Sequence, residues 1–183
     1  MRNILFMFLI FVLVLVGISY AADPVVERPV YSAGDYWVFT RDDGKTTKLE
    51  FLREEKDRYI FNQDGVQVVK DFDLTVEKRM RDYRGPLVKF PIKVGKVWTY
   101  DYEGASARYQ SVGRQAKYAV AAYEQITVPA GTFWSFKITL SIYETIYWEK
   151  GFSTEYWYAP DVKQIIKSSK EGKILELKEY KIK

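Results

Sequence analysis

The sequence contains no cysteine and no histidine among its 183 residues. Without cysteine, the chain cannot form a disulfide, hold an iron–sulfur cluster or use a thiolate nucleophile. Without histidine, it lacks the general base of most serine and cysteine hydrolases and the commonest ligand for zinc and copper. These absences exclude most hydrolytic and metal-dependent chemistries, and we expect no catalytic residue, no metal and no cofactor.

Phosphate-binding loops are also absent, since neither G-x-x-x-x-G-K-[ST] nor a helix-opening G-x-G-x-x-G occurs. Arg2 belongs to the N-terminal segment described below, which we expect to be removed. Without it, 27 of the 28 basic residues remain against 24 acidic ones, a net charge of +3. The two signs are interleaved along the chain, which is typical of a mixed solvated surface and not of a nucleic-acid footprint. We therefore expect no nucleotide and no nucleic-acid partner.

The longest apolar run lies at the N-terminus, where fifteen uncharged residues, 4–18, follow a basic residue. The run is shorter than the ~20 residues that span a bilayer, and Ser19 and Ala21 fit a small-x-small cleavage site. We predict a secretory signal peptide over residues 1–22. No cysteine follows the run, so we expect no bacterial lipoprotein anchor. The remaining residues, 23–183, are expected to form one domain in the periplasm or outside the cell, without a membrane span.

Apolar and polar residues alternate along much of the mature chain, for example over 98–102, 116–123 and 134–142. A period of two is typical of strands with one buried and one solvated face. The same alternation predicts a strand over 74–81. Outside the signal peptide, no segment has a convincing helical period. The sequence therefore predicts an all-β fold, an antiparallel meander of roughly nine to eleven strands that forms an open barrel or a sandwich.

The stretch V-P-A-G-T-F, residues 128–133, joins two of these alternating runs. Pro129 favours the first corner of a type I turn, and Gly131 suits a left-handed position after it. We predict a hairpin with a three-residue loop and no chemical role. Two copies of G-x-x-W-x-aromatic, 34–39 and 95–100, each open a predicted strand, and we expect their tryptophans in the core.

These motifs together resemble a group of exported bacterial proteins. The order G-x-x-W-x-[FY], V-P-A-G-T-F and then Y-W-Y-A-P-D-V at 156–162 is similar to that in the domain of unknown function 3108 and the related TapB-like proteins. The resemblance covers most of the chain from about Gly34 onward. Members commonly have a glycine two residues after W-Y-[AS]-P, a region where this chain has Lys163. The resemblance implies an antiparallel β-fold in the cell envelope and brings no catalytic residue.

Aromatic side chains are abundant, with 15 Tyr, 11 Phe and 5 Trp, or 17% of the chain. Most are expected in the core because they bury large areas. The others are candidates for a surface or cavity that binds a sugar, a lipid tail or a protein strand.

Three functional classes remain open. The first is a non-catalytic binding module for an apolar ligand or protein partner, such as a lipid, a glycan or an envelope protein. The second is a structural or assembly component that acts through sheet edges. The third is a carboxylate hydrolase that uses a pair such as Asp71 and Asp73, or Asp101 and Glu103. An empty volume inside the sheet would favour the first class. We expect this class, a binding module, and therefore predict that the protein is not an enzyme.

Strand register suggests one aromatic surface. A strand over 134–148, joined to one over 152–159 by a three-residue loop, places Tyr143 opposite Trp157 on the outer face of the sheet. We predict Tyr143 and Trp157, with Tyr147 nearby, as candidate ligand-binding residues. The alternative is that another part of the fold covers this pair and makes it ordinary core.

Overall fold

The computed structural model describes residues 23–75, 85–104, 112–144 and 149–183. The predicted signal peptide, Tyr147 and residues 76–81 of a predicted strand lie outside these ranges. No helix in the described residues has the length and apolar character to cross a membrane.

Ten antiparallel strands form one sheet. The number and the all-β class confirm the prediction from the sequence. In chain order the strands are β1 (Tyr36–Arg41), β2 (Thr46–Glu55), β3 (Arg58–Gln63), β4 (Val66–Asp71), β5 (Val97–Gly104), β6 (Val112–Val128), β7 (Gly131–Glu144), β8 (Glu149–Ala159), β9 (Gln164–Lys170) and β10 (Lys173–Lys181). A single 3-10 turn, Pro160–Val162, separates β8 from β9.

The sheet is two meanders joined at its centre. Its strand order is β4-β3-β2-β1-β10-β9-β8-β7-β6-β5, and β1 pairs with β10 so that Trp37 lies opposite Tyr180. The chain must therefore cross from β4 at one edge to β5 at the other. The described residues of this connection, 72–75 and 85–96, pack on one face of the sheet, which we call the inner face. Phe90 of the connection contacts the ring of Tyr158 with centroids 5.5 Å apart.

The inner face carries the core. On β7 every second residue from Phe136 to Ile142 is at most 2% exposed, as the alternation predicts. Trp37 is fully buried and Trp98 is 6% exposed, so the prediction that both are core residues is confirmed. Aromatic rings pack edge to face around Tyr31, whose centroid lies 5.5 Å from that of Trp37 and 4.9 Å from that of Tyr59. Such pairs add stability beyond the area that they bury.

The V-P-A-G-T-F stretch is a hairpin turn, but a tighter one than predicted. Val128 pairs directly with Gly131, so the loop is two residues and not three. Gly131 has a φ of 135° as the first residue of β7, a conformation that an L side chain rarely adopts. The amide N–H of Ala130 donates to the carbonyl oxygen of Leu177 at 3.0 Å, which holds the tip of the hairpin against β10.

The predicted register between β7 and β8 is wrong. The two strands are joined through four residues, 145–148, and a register shift lies between Ser141 and Tyr143. As a result Tyr143 pairs with Lys150, and Trp157 pairs with Lys137. The predicted pair of Tyr143 and Trp157 is therefore not formed.

The physical reason is that side-chain alternation does not distinguish two registers that differ by an even number of residues, because both keep the same side chains on the inner face. The prediction placed Tyr158 opposite Ile142, whereas it lies opposite Phe136, six positions away. Both arrangements put apolar side chains together on the inner face, and only a slip by an odd number would mix the faces.

The predicted strand over 74–81 is also wrong at its start. Strand β4 ends at Asp71, and Leu74 has a left-handed φ of 60°. The Asp71 carboxylate accepts the backbone N–H groups of Asp73 and Thr75 at 3.0 and 2.8 Å. An aspartate that captures neighbouring N–H groups in this way forms a turn and interrupts the strand ladder.

Candidate ligand-binding cavity

The inner face lines a half-open cavity of about 270 Å³. Strands from both meanders contribute to it, together with the connection between β4 and β5. Its apolar walls are Phe39, Leu49, Leu74, Leu87, Ile165 and Leu175. Side chains with polar groups from six strands complete the lining, and two of them, Lys70 and Gln164, have unusual surroundings.

Cross-strand pairing explains why these residues meet. Residues that lie opposite one another in a sheet point to the same face. Leu175 of β10 lies opposite both Arg41 of β1 and Ser168 of β9, and Ser168 in turn lies opposite Tyr156 of β8. The pairing of β1 with β10 therefore brings residues from the two halves of the chain into one lining.

Lys70 is the first unusual residue. It lies opposite Tyr59 near the end of β4, on the inner face, and its ammonium is 5.0 Å from the centroid of the Phe61 ring. Although part of the residue is exposed, loss of solvent around the ammonium lowers the pKa of Lys70 to about 8. Within the described residues no carboxylate forms an ion pair with it. Among the described residues, the Phe61 ring is thus the one group shown to compensate this positive charge.

Gln164 is the second. It is 3% exposed and lines the cavity as the first residue of β9. Its side-chain oxygen accepts the backbone N–H of Ile165 at 3.1 Å, which fixes the orientation of the amide. Its Nε2 then has no hydrogen-bond partner among the residues that the structure describes. A buried donor without an acceptor costs about 1–3 kcal/mol.

A second hollow, of about 470 Å³, lies between the β1–β2 and β9–β10 turns. Asp42, Asp43 and Lys173 line it and are exposed. It shares Arg41 and Ser168 with the inner cavity. Although this outer hollow is larger, its exposed charged walls would remove little ligand surface from water, so the inner cavity is the better candidate for a binding site.

The structure separates the aromatic residues predicted as a site. Trp157 is 7% exposed, its indole N–H donates to Oε1 of Glu124 at 2.9 Å, and the ammonium groups of Lys137 and Lys167 lie 5.2 and 5.8 Å from its ring. Tyr143 is partly exposed at another place on the outer face, and Tyr147 lies outside the described residues. A ligand-binding role for these three residues stays a prediction.

Sequence reasoning missed Lys70 and Gln164. The sequence did contain one indication for Lys70. Val68 and Lys70 are two residues apart on β4, so their side chains point to the same face of the sheet, the inner one. A lysine at an apolar position of an alternating strand indicates a buried charge. Gln164 follows a turn, where alternation gives no information about the direction of a side chain.

The carboxylate pairs have structural partners. Asp71 holds the turn after β4, and Asp101 accepts a hydrogen bond from the side-chain amide of Gln115 at 2.9 Å. Desolvation raises the pKa of Asp73, whose carboxylate accepts the N–H of Phe90 at 3.2 Å. No aspartate or glutamate lines the inner cavity in the described part of the chain, so nothing there matches the two-carboxylate arrangement of a glycosidase.

Comparison with known proteins finds no matching family model and no matching curated protein. The resemblance to the domain of unknown function 3108 and the TapB-like proteins therefore stays a prediction. Several solved structures have a similar fold. The hypothetical lipoprotein YmcC from Escherichia coli K12 has a TM-score of 0.48 at 13% identity, over 84% of this chain and 90% of that one.

Two further structures are similar. A protein described as a lipoprotein, from Parabacteroides distasonis, has a TM-score of 0.45 at 13% identity, over 86% of this chain and 100% of that one. A protein described as exported and as having a YmcC-like fold, from Bacteroides fragilis, has a TM-score of 0.42 at 17% identity, with the same coverage of 86% and 100%. At these scores the similarities carry no argument about function.

Proposed function

We propose that this protein is a non-catalytic binding module of the cell envelope that holds a small, largely apolar ligand in the inner cavity. The cavity of about 270 Å³ is the observation that carries the proposal. A water molecule occupies about 30 Å³ of liquid, so this volume corresponds to about nine waters or a ligand of roughly ten non-hydrogen atoms.

The composition of the walls supports an apolar ligand. Six large apolar side chains surround the volume, and transfer of an alkyl chain from water into such surroundings is favourable by about 0.8 kcal/mol per CH₂ group. The export expected from the N-terminal sequence places this binding activity in the envelope.

Titration with octan-1-ol, an uncharged ligand of suitable length, tests the proposal. Isothermal titration calorimetry on the mature protein is expected to show one binding site. Ser168→Trp fills the cavity and should weaken binding at least tenfold. Ser169→Trp is the matched control, because Ser169 lies on the other face, opposite Glu155, and should change the affinity less than twofold. No binding by the parent protein, or equal binding by both variants, would exclude this cavity as the site.

The sheet edges favour a second candidate, an assembly role. In the described residues β4 pairs only with β3, and β5 only with β6. Val66 and Val97, which begin these edge strands, are 65% and 53% exposed. Unpaired strand edges can add a strand from another chain. Sedimentation of the mature protein, with Val97→Lys as the edge variant, tests this role, since assembly through β5 predicts self-association that the variant reduces.

A further inference from the structure

We infer that the ligand of the inner cavity is a medium-chain aliphatic monocarboxylate, whose head group accepts hydrogen bonds from Lys70 and Gln164 while its alkyl chain lies against the apolar walls. This inference rests on the proposed function and adds the chemical class of the ligand. It depends on two groups in the lining of one cavity: the Nε2 of Gln164, which has no hydrogen-bond partner in the described residues, and the ammonium of Lys70, which forms no ion pair there.

The charge of the lining favours an anion. Lys70 and Arg41 are its two cations, and the lining contains no carboxylate in the described residues. Arg41 lies where the cavity meets the outer hollow, whose walls include Asp42 and Asp43. Arg41 is exposed, so solvent screens its charge, whereas Lys70 is poorly solvated and no carboxylate pairs with it in the described residues. One negative charge on the ligand would pair with the Lys70 ammonium, because a poorly solvated charge is tolerated when it is paired.

Gln164 adds a requirement for an acceptor. Its amide oxygen is already used by Ile165 N–H, so only the N–H donors of Nε2 face a ligand. Because both residues line the same cavity, one anionic acceptor placed between them would satisfy Lys70 and Gln164 together. A carboxylate has two oxygens and about four lone-pair sites, which suits two separate donors. A ligand amine would leave both protein donors unpaired and would add a second positive charge.

Volume and wall composition set the rest of the ligand. Roughly ten non-hydrogen atoms fit the cavity, and a carboxylate accounts for three of them. The remaining atoms meet Phe39, Leu49, Leu74 and Leu175, which offer no polar groups from their side chains. Octanoate has this size and character and is therefore the probe.

Three ligands with the same eight-carbon chain differ only in their head groups: octanoate, octan-1-ol and octylamine. Titration of each by calorimetry at pH 7 therefore measures how much the head group contributes to affinity. We expect octanoate to bind at least tenfold more tightly than octan-1-ol, and octylamine to bind most weakly. Lys70→Met should lower the affinity for octanoate at least tenfold, to about the affinity of the parent protein for octan-1-ol. Lys173→Met, which removes an exposed charge from the outer hollow, is the matched control and should change octanoate binding less than twofold.

The outcomes distinguish the two proposals. Equal binding of octanoate and octan-1-ol overturns the head-group inference but leaves the proposed function intact. Failure of all three ligands overturns both. Equal weakening by Lys70→Met and Lys173→Met means that net charge alone attracts the anion, which also overturns the inference.

A measurement on the parent protein does not depend on any variant. The side-chain amide resonances of Gln164 in an ¹⁵N-resolved NMR spectrum should shift on addition of octanoate and shift much less with octan-1-ol, because only the carboxylate gives Nε2 a charged acceptor. Equal shifts with the two ligands, or no shift with octanoate, would contradict the assigned role of Gln164.

Discussion

The indole N–H of Trp37 donates a hydrogen bond of 2.8 Å to the carbonyl oxygen of Val162, 125 residues further along the chain. The hydroxyl of Tyr31 donates to the carbonyl oxygen of the next residue, Lys163, at 2.8 Å. Two aromatic side chains near the N-terminus therefore hold the backbone of the turn between β8 and β9. Because Gln164 follows directly, the same contacts help to position its side chain in the cavity lining.

Trp37→Ala should lower the free energy of unfolding by about 3–5 kcal/mol, the range for deletion of a large buried aromatic side chain. The substitution also leaves the carbonyl of Val162 without its donor. Trp134→Ala is the matched control, since Trp134 is 47% exposed and should cost about 1 kcal/mol or less. Urea denaturation of both variants measures the difference, and equal losses would contradict the assignment of Trp37 to the core.

Lys163 provides a comparison of two substitutions at one position. It has a left-handed φ of 57°, and its ammonium lies 3.6 Å from Oδ2 of the fully buried Asp35. Lys163→Ala and Lys163→Gly both remove the ion pair, but only glycine relieves the backbone strain, which is about 1–2 kcal/mol for an L-residue. We expect the glycine variant to be more stable by about 1 kcal/mol in urea denaturation. Equal stabilities would show that the strain is negligible.

The sequence predicted the strands and their buried faces well. On β7 the alternation around Phe136 and Ile138 identifies the inner face because burial of one side imposes a period of two. The same pattern predicts Trp37 and Trp98 as core. These properties depend on local sequence, and so they could be read without knowledge of the neighbouring strands.

The cavity could not be predicted, because it depends on which strands meet. Alternation leaves register open by any even number, which is why Trp157 was placed opposite Tyr143 and not Lys137. The first strand, β1, pairs with the last strand, β10. No local sequence pattern predicts a pairing between strands so far apart in the chain. Lys70 and Gln164 share a lining only through that pairing.

Trp157 tests whether the outer face binds the ligand. It alternates on β8 with the inner residues Tyr156 and Tyr158, and it lies beside Lys137 on the outer face. Trp157→Phe should leave octanoate affinity within twofold. It should lower the free energy of unfolding by about 1–2 kcal/mol, because the indole N–H no longer donates to Glu124. Calorimetry and urea denaturation measure the two effects. A tenfold loss of affinity with little loss of stability would instead assign binding to the aromatic outer face.

Lys70 should lower the stability of the ligand-free protein at neutral pH. Burial lowers its pKa from 10.5 to about 8, so below pH 8 the folded state carries the full penalty of a poorly solvated charge. Lys70→Met removes that penalty and should raise the free energy of unfolding at pH 7 by roughly 1–2 kcal/mol. A shift of one pKa unit corresponds to about 1.36 kcal/mol, and we reduce the resulting value because Lys70 is partly exposed to solvent.

The pH dependence of this difference has a definite sign. Between pH 8 and 10.5 the folded parent releases the Lys70 proton while the unfolded chain retains it, so the parent gains stability relative to Lys70→Met as pH rises. Arg41 and Tyr156, which line the same cavity, are present in both proteins, so their contributions largely cancel. Urea denaturation at pH 7, 9 and 10 should therefore show that the difference in the free energy of unfolding between Lys70→Met and the parent protein becomes smaller as the pH rises. A constant difference would show that folding does not lower the pKa of Lys70, and a less stable variant at pH 7 would mean that Lys70 is a stabilising residue. A difference that narrows as the pH rises would mean that the charge of Lys70 is retained at the expense of stability, as is common for residues kept for binding.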